Sequence, residues 1–220
     1  MENYQIKHRR VDAVIFETTA NSLKEALEIA VKQKANLQFA DLQRANLQGA
    51  NLQFANLQFA NLQRADLQGA NLQGANLQYA NLQRADLQGA NLQGADLQYA
   101  NLQRADLQEA NLQGADLQFA ELQRANLQEA NLQGADLQGA NLQGANLQYA
   151  NLQYANIDFS CWPLWCGSKD VIIDEKQARQ LGMHLFNAIE KFLPDGLTKE
   201  QKNWVNKCHR IEDSSFPKFK

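Results

Sequence analysis

Between Ala35 and Phe159 the chain contains no serine, threonine, histidine, cysteine or lysine. Those side chains supply most nucleophiles, proton shuttles and soft metal ligands at neutral pH. The stretch is therefore expected to hold no catalytic centre, no metal and no cofactor. All three histidines (His8, His184, His209) and all three cysteines (Cys161, Cys166, Cys208) lie outside it. Three cysteines in 220 residues do not build a disulfide framework. Cys161 and Cys166, with Cys208, His209 and His184, have the residue types of a zinc site. Their interval is filled by two Trp, a Pro and a Leu, unlike the short spacing of zinc pairs. Reduced thiols packed as small hydrophobes are expected instead. No nucleophile elbow, phosphate loop or metalloprotease motif is present, so no enzymatic activity is expected. No apolar run reaches membrane length, and Met1-Glu-Asn-Tyr-Gln5 does not open a signal peptide. The expected place is a reducing cytoplasm, with no membrane contact. A formal net charge of -3 gives no global reason to bind nucleic acid.

What fills the stretch is one sentence, Ala-Asn/Asp-Leu-Gln-x, repeated twenty-five times without a gap. A period of five fits neither a helix at 3.6 nor a strand at 2.0. It predicts a solenoid in which each unit stacks on copies of itself. The Leu, replaced once by Ile157, and the Ala two residues earlier are the expected core. The Asn/Asp, the Gln and the variable residue are expected to face solvent. Within this block five arginines stand against eleven acids, a net of -6.

A second period of twenty runs through the variable position. One column reads Phe39, Phe59, Tyr79, Tyr99, Phe119, Gly139, Phe159. The next reads Arg44, Arg64, Arg84, Arg104, Arg124, Gly144. The third is Gly49, Gly69, Gly89, Glu109, Glu129, Tyr149, and the fourth Phe54, Gly74, Gly94, Gly114, Gly134, Tyr154. Twenty residues is four units, so each coil has four sides. At ~4.8 Å per coil, about six coils make a rod ~30 Å long. Four glutamine columns and one asparagine column, Asn51 to Asn151, are expected to bond between coils as amide ladders.

The block resembles the pentapeptide repeat family, whose unit is A-[DN]-L-x-x. The resemblance implies an all-β solenoid, a right-handed quadrilateral β-helix with one unit per side. The near-invariant Gln is what recent duplication of a twenty-residue block, or a consensus design, would each produce.

A solenoid needs caps at both ends. Three segments follow: residues 1–34 as an N-terminal cap, 35–159 as the β-helix, and 160–220 as a C-terminal plug and helical hairpin. Tyr4–Ile6 and Val11–Phe16 read as strands. Ser22-Leu-Lys-Glu25 opens a helix with a capping box, and Leu23, Ala26, Leu27, Ala30 and Val31 form its apolar stripe over the first coil. After Phe159 the grammar breaks. Trp162, Leu164 and Trp165 are expected to cover the last coil. Two helices follow, one from Asp174 to Leu193 and one from Thr198. Leu181, Met183, Leu185, Phe186, Ile189, Phe192 and Trp204 offer more apolar surface than one cap needs. They are the candidate interface of a homo-oligomer, a dimer or a tetramer.

The candidate binding stripe is Phe39, Phe59, Tyr79, Tyr99 and Phe119 beside Arg44, Arg64, Arg84, Arg104 and Arg124, residue types enriched at interfaces. The competing account is that the rings stack only on one another. Asp41 and Glu121 are expected to pair with Arg44 and Arg124. Function then divides between an interaction scaffold with an unnamed partner and a second reading that the resemblance implies. Some pentapeptide repeat proteins mimic DNA and bind DNA gyrase or topoisomerase IV. About 30 Å of duplex would carry roughly 18 charges, against -6 here. Direct nucleic-acid binding ranks last, because adjacent acids offset the arginines.

Overall fold

The computed structural model describes residues 1–158 together with Ser160, Cys161, Val171 and Ile172. The chain divides into two compact units, Met1–Ile172 and Ile173–Lys220. All the described residues belong to the first.

The backbone of the repeat accounts for every donor in a unit. Taking residues 51–55, the Leu52 N–H donates to Asn71 O at 2.8 Å and the Phe54 N–H to Gln73 O at 2.9 Å, both one coil on. The Ala55 N–H closes a turn to Leu52 O at 3.1 Å. The Asn71 N–H returns to Ala50 O at 2.9 Å. The fifth donor, the Gln53 N–H, is taken by the side-chain Oδ1 of Asn51 at 3.3 Å. Each Asn or Asp thus bridges in parallel to its counterpart twenty residues away, as in Asn51, Asn71, Asn91, Asn111, Asn131 and Asn151. The result is a four-sided parallel ladder, as the twenty-residue period predicts.

Each corner is a β-turn over Leu-Gln-x-Ala whose third residue lies at positive φ, the type II pattern. The variable residue has φ between 56° and 70° wherever it is described. Glycine enters that region without strain, and nine of these positions are Gly. Inside the corners every Leu of the repeat is sealed from solvent to within 1%, and every Ala from Ala40 onward to within 7%. The Asn/Asp and Gln, expected to face solvent, are mostly half-buried, because their side chains bond along the ladder.

At the N-terminus β1 (Glu2–Lys7) pairs antiparallel with β2 (Val14–Ala20). The second strand starts later than Val11, which is 57% exposed. The hairpin must reverse somewhere, and residues 8–13 do so. The His8 N–H donates to Ala13 O, and the Arg10 and Val11 N–H groups donate to His8 Nδ1. Helix α1 (Leu23–Lys32) is capped by Ser22 Oγ, which accepts from the Glu25 N–H at 3.1 Å. The Glu25 carboxylate reaches back to Asn21, one residue before the position a capping box predicts. Ala26, Leu27 and Ala30 are buried, and Leu23 and Val31 half so. The helix meets the first coil through charged side chains. Lys24 Nζ donates to Gln48 O at 3.0 Å, and Glu28 accepts from the Asn51 N–H at 2.9 Å. Opposite it, Lys7 O accepts from the Asp41 N–H and Arg9 donates through its backbone to Phe39 O.

The ladder also outruns the expected end at Phe159. Ser160 takes the buried alanine position, its hydroxyl donating to Ile157 O at 2.7 Å. Cys161 takes the Asn/Asp position and bridges to Asn141, and Ile172 bridges to Asn151. Backbone pairing needs no particular side chain there, and serine is nearly the size of alanine.

Candidate functional site

Two corners of the first unit carry the side chains singled out above. At the first, Phe39, Phe59, Tyr79, Tyr99 and Phe119 form a continuous stack. Successive centroids lie 4.8, 5.0, 4.9 and 5.1 Å apart, with planes within 13° of parallel. That spacing is offset stacking, imposed by the rise of the coils. His8 closes the top, 5.1 Å from Phe39. At the bottom, Phe119 lies over Gly139, where an added Cβ would sit 2.6 Å from the ring. The ring faces are therefore covered and their edges turn outward, leaving Tyr79, Tyr99 and Phe119 about 45% exposed. Sequence reasoning missed His8; the hairpin brings it there from outside the repeat, and no spacing signals it.

At the second corner Arg44, Arg64, Arg84, Arg104 and Arg124 project into solvent. All five sit in the left-handed region, at φ of 58° to 60°. Among the described residues the guanidinium groups have no hydrogen-bond or ion-pair partner. The expected pairs with Asp41 and Glu121 do not form. Asp41 Oδ1 instead accepts from the Gln43 N–H and from Asn61 Nδ2, and the Glu121 carboxylate accepts from Gln123 Nε2. The one ion pair among the described residues is Lys7 with Asp12, at 3.9 Å.

The acids are mostly committed to the ladder. Asp96, Asp116 and Asp136 each take their own unit's Gln N–H on Oδ1, and on Oδ2 the side-chain amide of Gln78, Gln98 and Gln118. The glutamine columns are thus not continuous: the amides of Gln68, Gln78, Gln98 and Gln118 turn to an aspartate of the next coil instead. Burial raises the Asp96 carboxyl above its ordinary range, and neighbouring Asp116 adds to this. The bonds from Gln98 and Gln78 oppose it. Arg9 shows the converse effect of burial, its basicity lowered, while Nη1 donates to Phe59 O at 2.6 Å.

Between the two corners lies a flat face. Over its middle coils the outward residues are Asn61, Asn81 and Asn101 with Gln63, Gln83 and Gln103, all uncharged. Gln63 donates to Gln83 at 2.7 Å and Gln83 to Gln103 at 3.2 Å. The expected oligomer interface, Leu181, Met183, Leu185, Phe186, Ile189, Phe192 and Trp204, lies outside the described residues. So do Phe159, Trp162, Leu164, Trp165, Cys166 and Cys208. Cys161 is a free, exposed thiol. No described helix is long and apolar enough to cross a membrane.

The family model for pentapeptide repeats matches residues 33–69, 65–98, 90–128 and 125–158 in eight copies, more than half of the chain. The chain belongs to the pentapeptide repeat family. The family's right-handed quadrilateral β-helix is the four-sided ladder seen here. Solved structures similar to this repeat include Rfr23 from the cyanobacterium Cyanothece 51142. It is 43% identical over 43% of this chain and 60% of its own, with a TM-score of 0.37. This chain therefore spans less than two thirds of Rfr23. A pentapeptide repeat protein of the Arabidopsis thaliana thylakoid lumen is 31% identical over 54% of this chain and 71% of its own, TM-score 0.41. HetL of Nostoc sp. PCC 7120, involved in heterocyst differentiation regulation, is 36% identical over 60% and 69%, TM-score 0.31. No match was found among curated proteins.

Proposed function

We propose that this protein is a non-enzymatic interaction scaffold of the cytoplasm whose contact surface is its aromatic and arginine corners. One observation carries the reading. Five arginines occupy a backbone conformation that costs about 1 kcal/mol relative to glycine, and no described residue bonds or pairs with their guanidinium groups. The glycines in the other columns show that the turn does not need a side chain. A partner outside the chain supplies the reason for the charge. The neighbouring ring edges add the apolar contact that interfaces favour.

The test compares capture from a lysate of the source organism by the full chain and by Arg64→Gly/Arg84→Gly/Arg104→Gly. Capture lost in the variant, with the fold intact by circular dichroism, supports the reading; equal capture refutes it. Self-association through the C-terminal segment belongs to the same proposal and rests on its apolar pattern. Light scattering of the full chain beside Leu185→Asp/Phe186→Asp tests it, and a monomer in both removes it.

The DNA-mimic reading is favoured by one feature, the aligned Asp66, Asp86 and Asp106 with Glu109 and Glu129 at the next corner. Against it stand the arginine column and a net charge of -6 over the block. Gyrase supercoiling unchanged by excess protein would remove it.

A further inference from the structure

We infer that the face between the aromatic and arginine corners docks an acidic amphipathic α-helix, lying along the β-helix axis with one turn per coil. The inference rests on the reading of that face as the contact surface and names the partner's chemistry.

Periodicity carries it. The rings recur every 4.8 to 5.1 Å, and the arginines share the same coils. An α-helix repeats a side-chain stripe every ~5.4 Å. Over the four steps from the first arginine to the fifth it outruns the coils by roughly 2 Å, which long arginine side chains absorb. An extended strand repeats one face every ~6.6 Å and outruns them by roughly 7 Å. Its carboxylates would fall out of register with most of the column.

Charge and shape agree. The face is edged on one side by guanidinium groups with no partner among the described residues and on the other by ring edges, over a floor whose three middle coils are uncharged amides and whose end coils carry Asp41 and Glu121. The floor amides bond to one another, so they impose no demand on what lies above. A helix with a Leu/Met stripe beside a Glu/Asp stripe satisfies both edges at once. Single-stranded nucleic acid fits less well. Its bases bind aromatic residues through their faces, and here each face is covered by the next ring, by His8 or by the Gly139 backbone.

The test uses the full chain and four fluorescent probes. One is a peptide of about five helical turns with adjacent Leu and Glu stripes. The others are a permuted peptide of the same composition, an alternating Glu-Val strand peptide, and oligothymidylate. Anisotropy is read at low and physiological salt, and helix induction by circular dichroism. The striped peptide should bind with salt sensitivity, become helical, and bind at least about ten-fold tighter than the other three. Arg64→Gly/Arg84→Gly/Arg104→Gly should weaken it by about ten-fold, and Tyr79→Gly/Tyr99→Gly should also weaken it. Equal binding of any other probe, no binding of the striped peptide, or full binding by the arginine variant overturns the inference. If the striped peptide fails while lysate capture still depends on the arginines, the helix is wrong and the contact surface stands. If capture is also independent of them, both fall.

Discussion

Glu121→Asn should stabilise this protein, and the reason lies in one broken unit. In every other described unit the Gln N–H, or the Asp158 N–H in the last, donates to the Asn/Asp Oδ1 two residues earlier, at 3.0 to 3.4 Å, as with Gln103 and Asn101 or Gln58 and Asn56. Glu121 stands where an Asn or Asp is required, one methylene too long. Its carboxylate passes the Gln123 N–H and takes the Gln123 side-chain amide instead. Two consequences follow. The Gln123 N–H has no partner among the described residues, and Gln123 Oε1 is buried without one. The amide ladder from Gln43 through Gln63 and Gln83 therefore stops at Gln103. Asparagine restores a backbone-to-side-chain bond, about 1 kcal/mol net, and frees Gln123 to satisfy its orphaned oxygen, relieving a further 1 kcal/mol or so. A gain of about 2 kcal/mol raises Tm by roughly 4–8 °C in a chain of this size. Thermal and urea melts followed by circular dichroism measure it. Glu121→Asp should give much of the gain, because the short carboxylate closes the turn. Glu121→Gln should give little, because it keeps the extra methylene. If Glu121→Gln stabilises as much as Glu121→Asn, charge removal is the cause and the turn argument is wrong.

Three further outcomes are expected. Arg84→Gly should raise stability by about 1 kcal/mol by relieving left-handed strain. Tyr79→Gly should show no such gain, since it breaks two ring contacts each worth about 0.5–1.5 kcal/mol. A melt in which both behave alike would contradict the view that the rings, but not the arginines, repay their conformation. Asp96 has its carboxyl raised in the folded state, so its ionisation works against the fold. Its contribution falls as pH rises from the ordinary carboxylate range through the raised value, and is flat on either side. Asp96→Asn should therefore gain on the wild type across that window, and a pH-independent difference would refute it. Arg9→Met removes the donor to Phe59 O and should speed amide exchange in β1 and β2 while leaving the middle coils protected; unchanged exchange would show that Arg9 does not pin the cap.

How much of this was legible beforehand depends on which atoms the repeat commits. Ala and Leu were readable as core because burial follows periodicity directly, and the ring stack followed from the twenty-residue spacing. The role of Asn/Asp was not readable as solvent-facing decoration, and that expectation was wrong. Its side chain completes the backbone accounting, a demand seen only when all five donors of a unit are assigned. The clue was in the sequence as a restriction on length: aspartate replaces asparagine freely, whereas glutamate appears once, and there the side-chain bond to the Gln N–H is lost. His8 and Arg9 were invisible for the opposite reason. Their partners lie 31 and 50 residues away, and only the hairpin brings them together.

The variable position carries the deeper lesson. Nine glycines there read as bare surface, but they mark a backbone requirement. Glycine is the residue the turn prefers, so every other side chain at a corner is a departure the fold resists by about 1 kcal/mol. Those departures sort themselves. The five rings lean on one another and recover the cost internally. Glu109 and Glu129 recover part of it through their neighbours Gln108 and Gln128. The arginine guanidinium groups recover no hydrogen bond or ion pair from the described residues, although Gly144 shows that their column tolerates glycine. In a solenoid whose core is the same in every coil, the residues that cost stability without return are where an external partner should be sought.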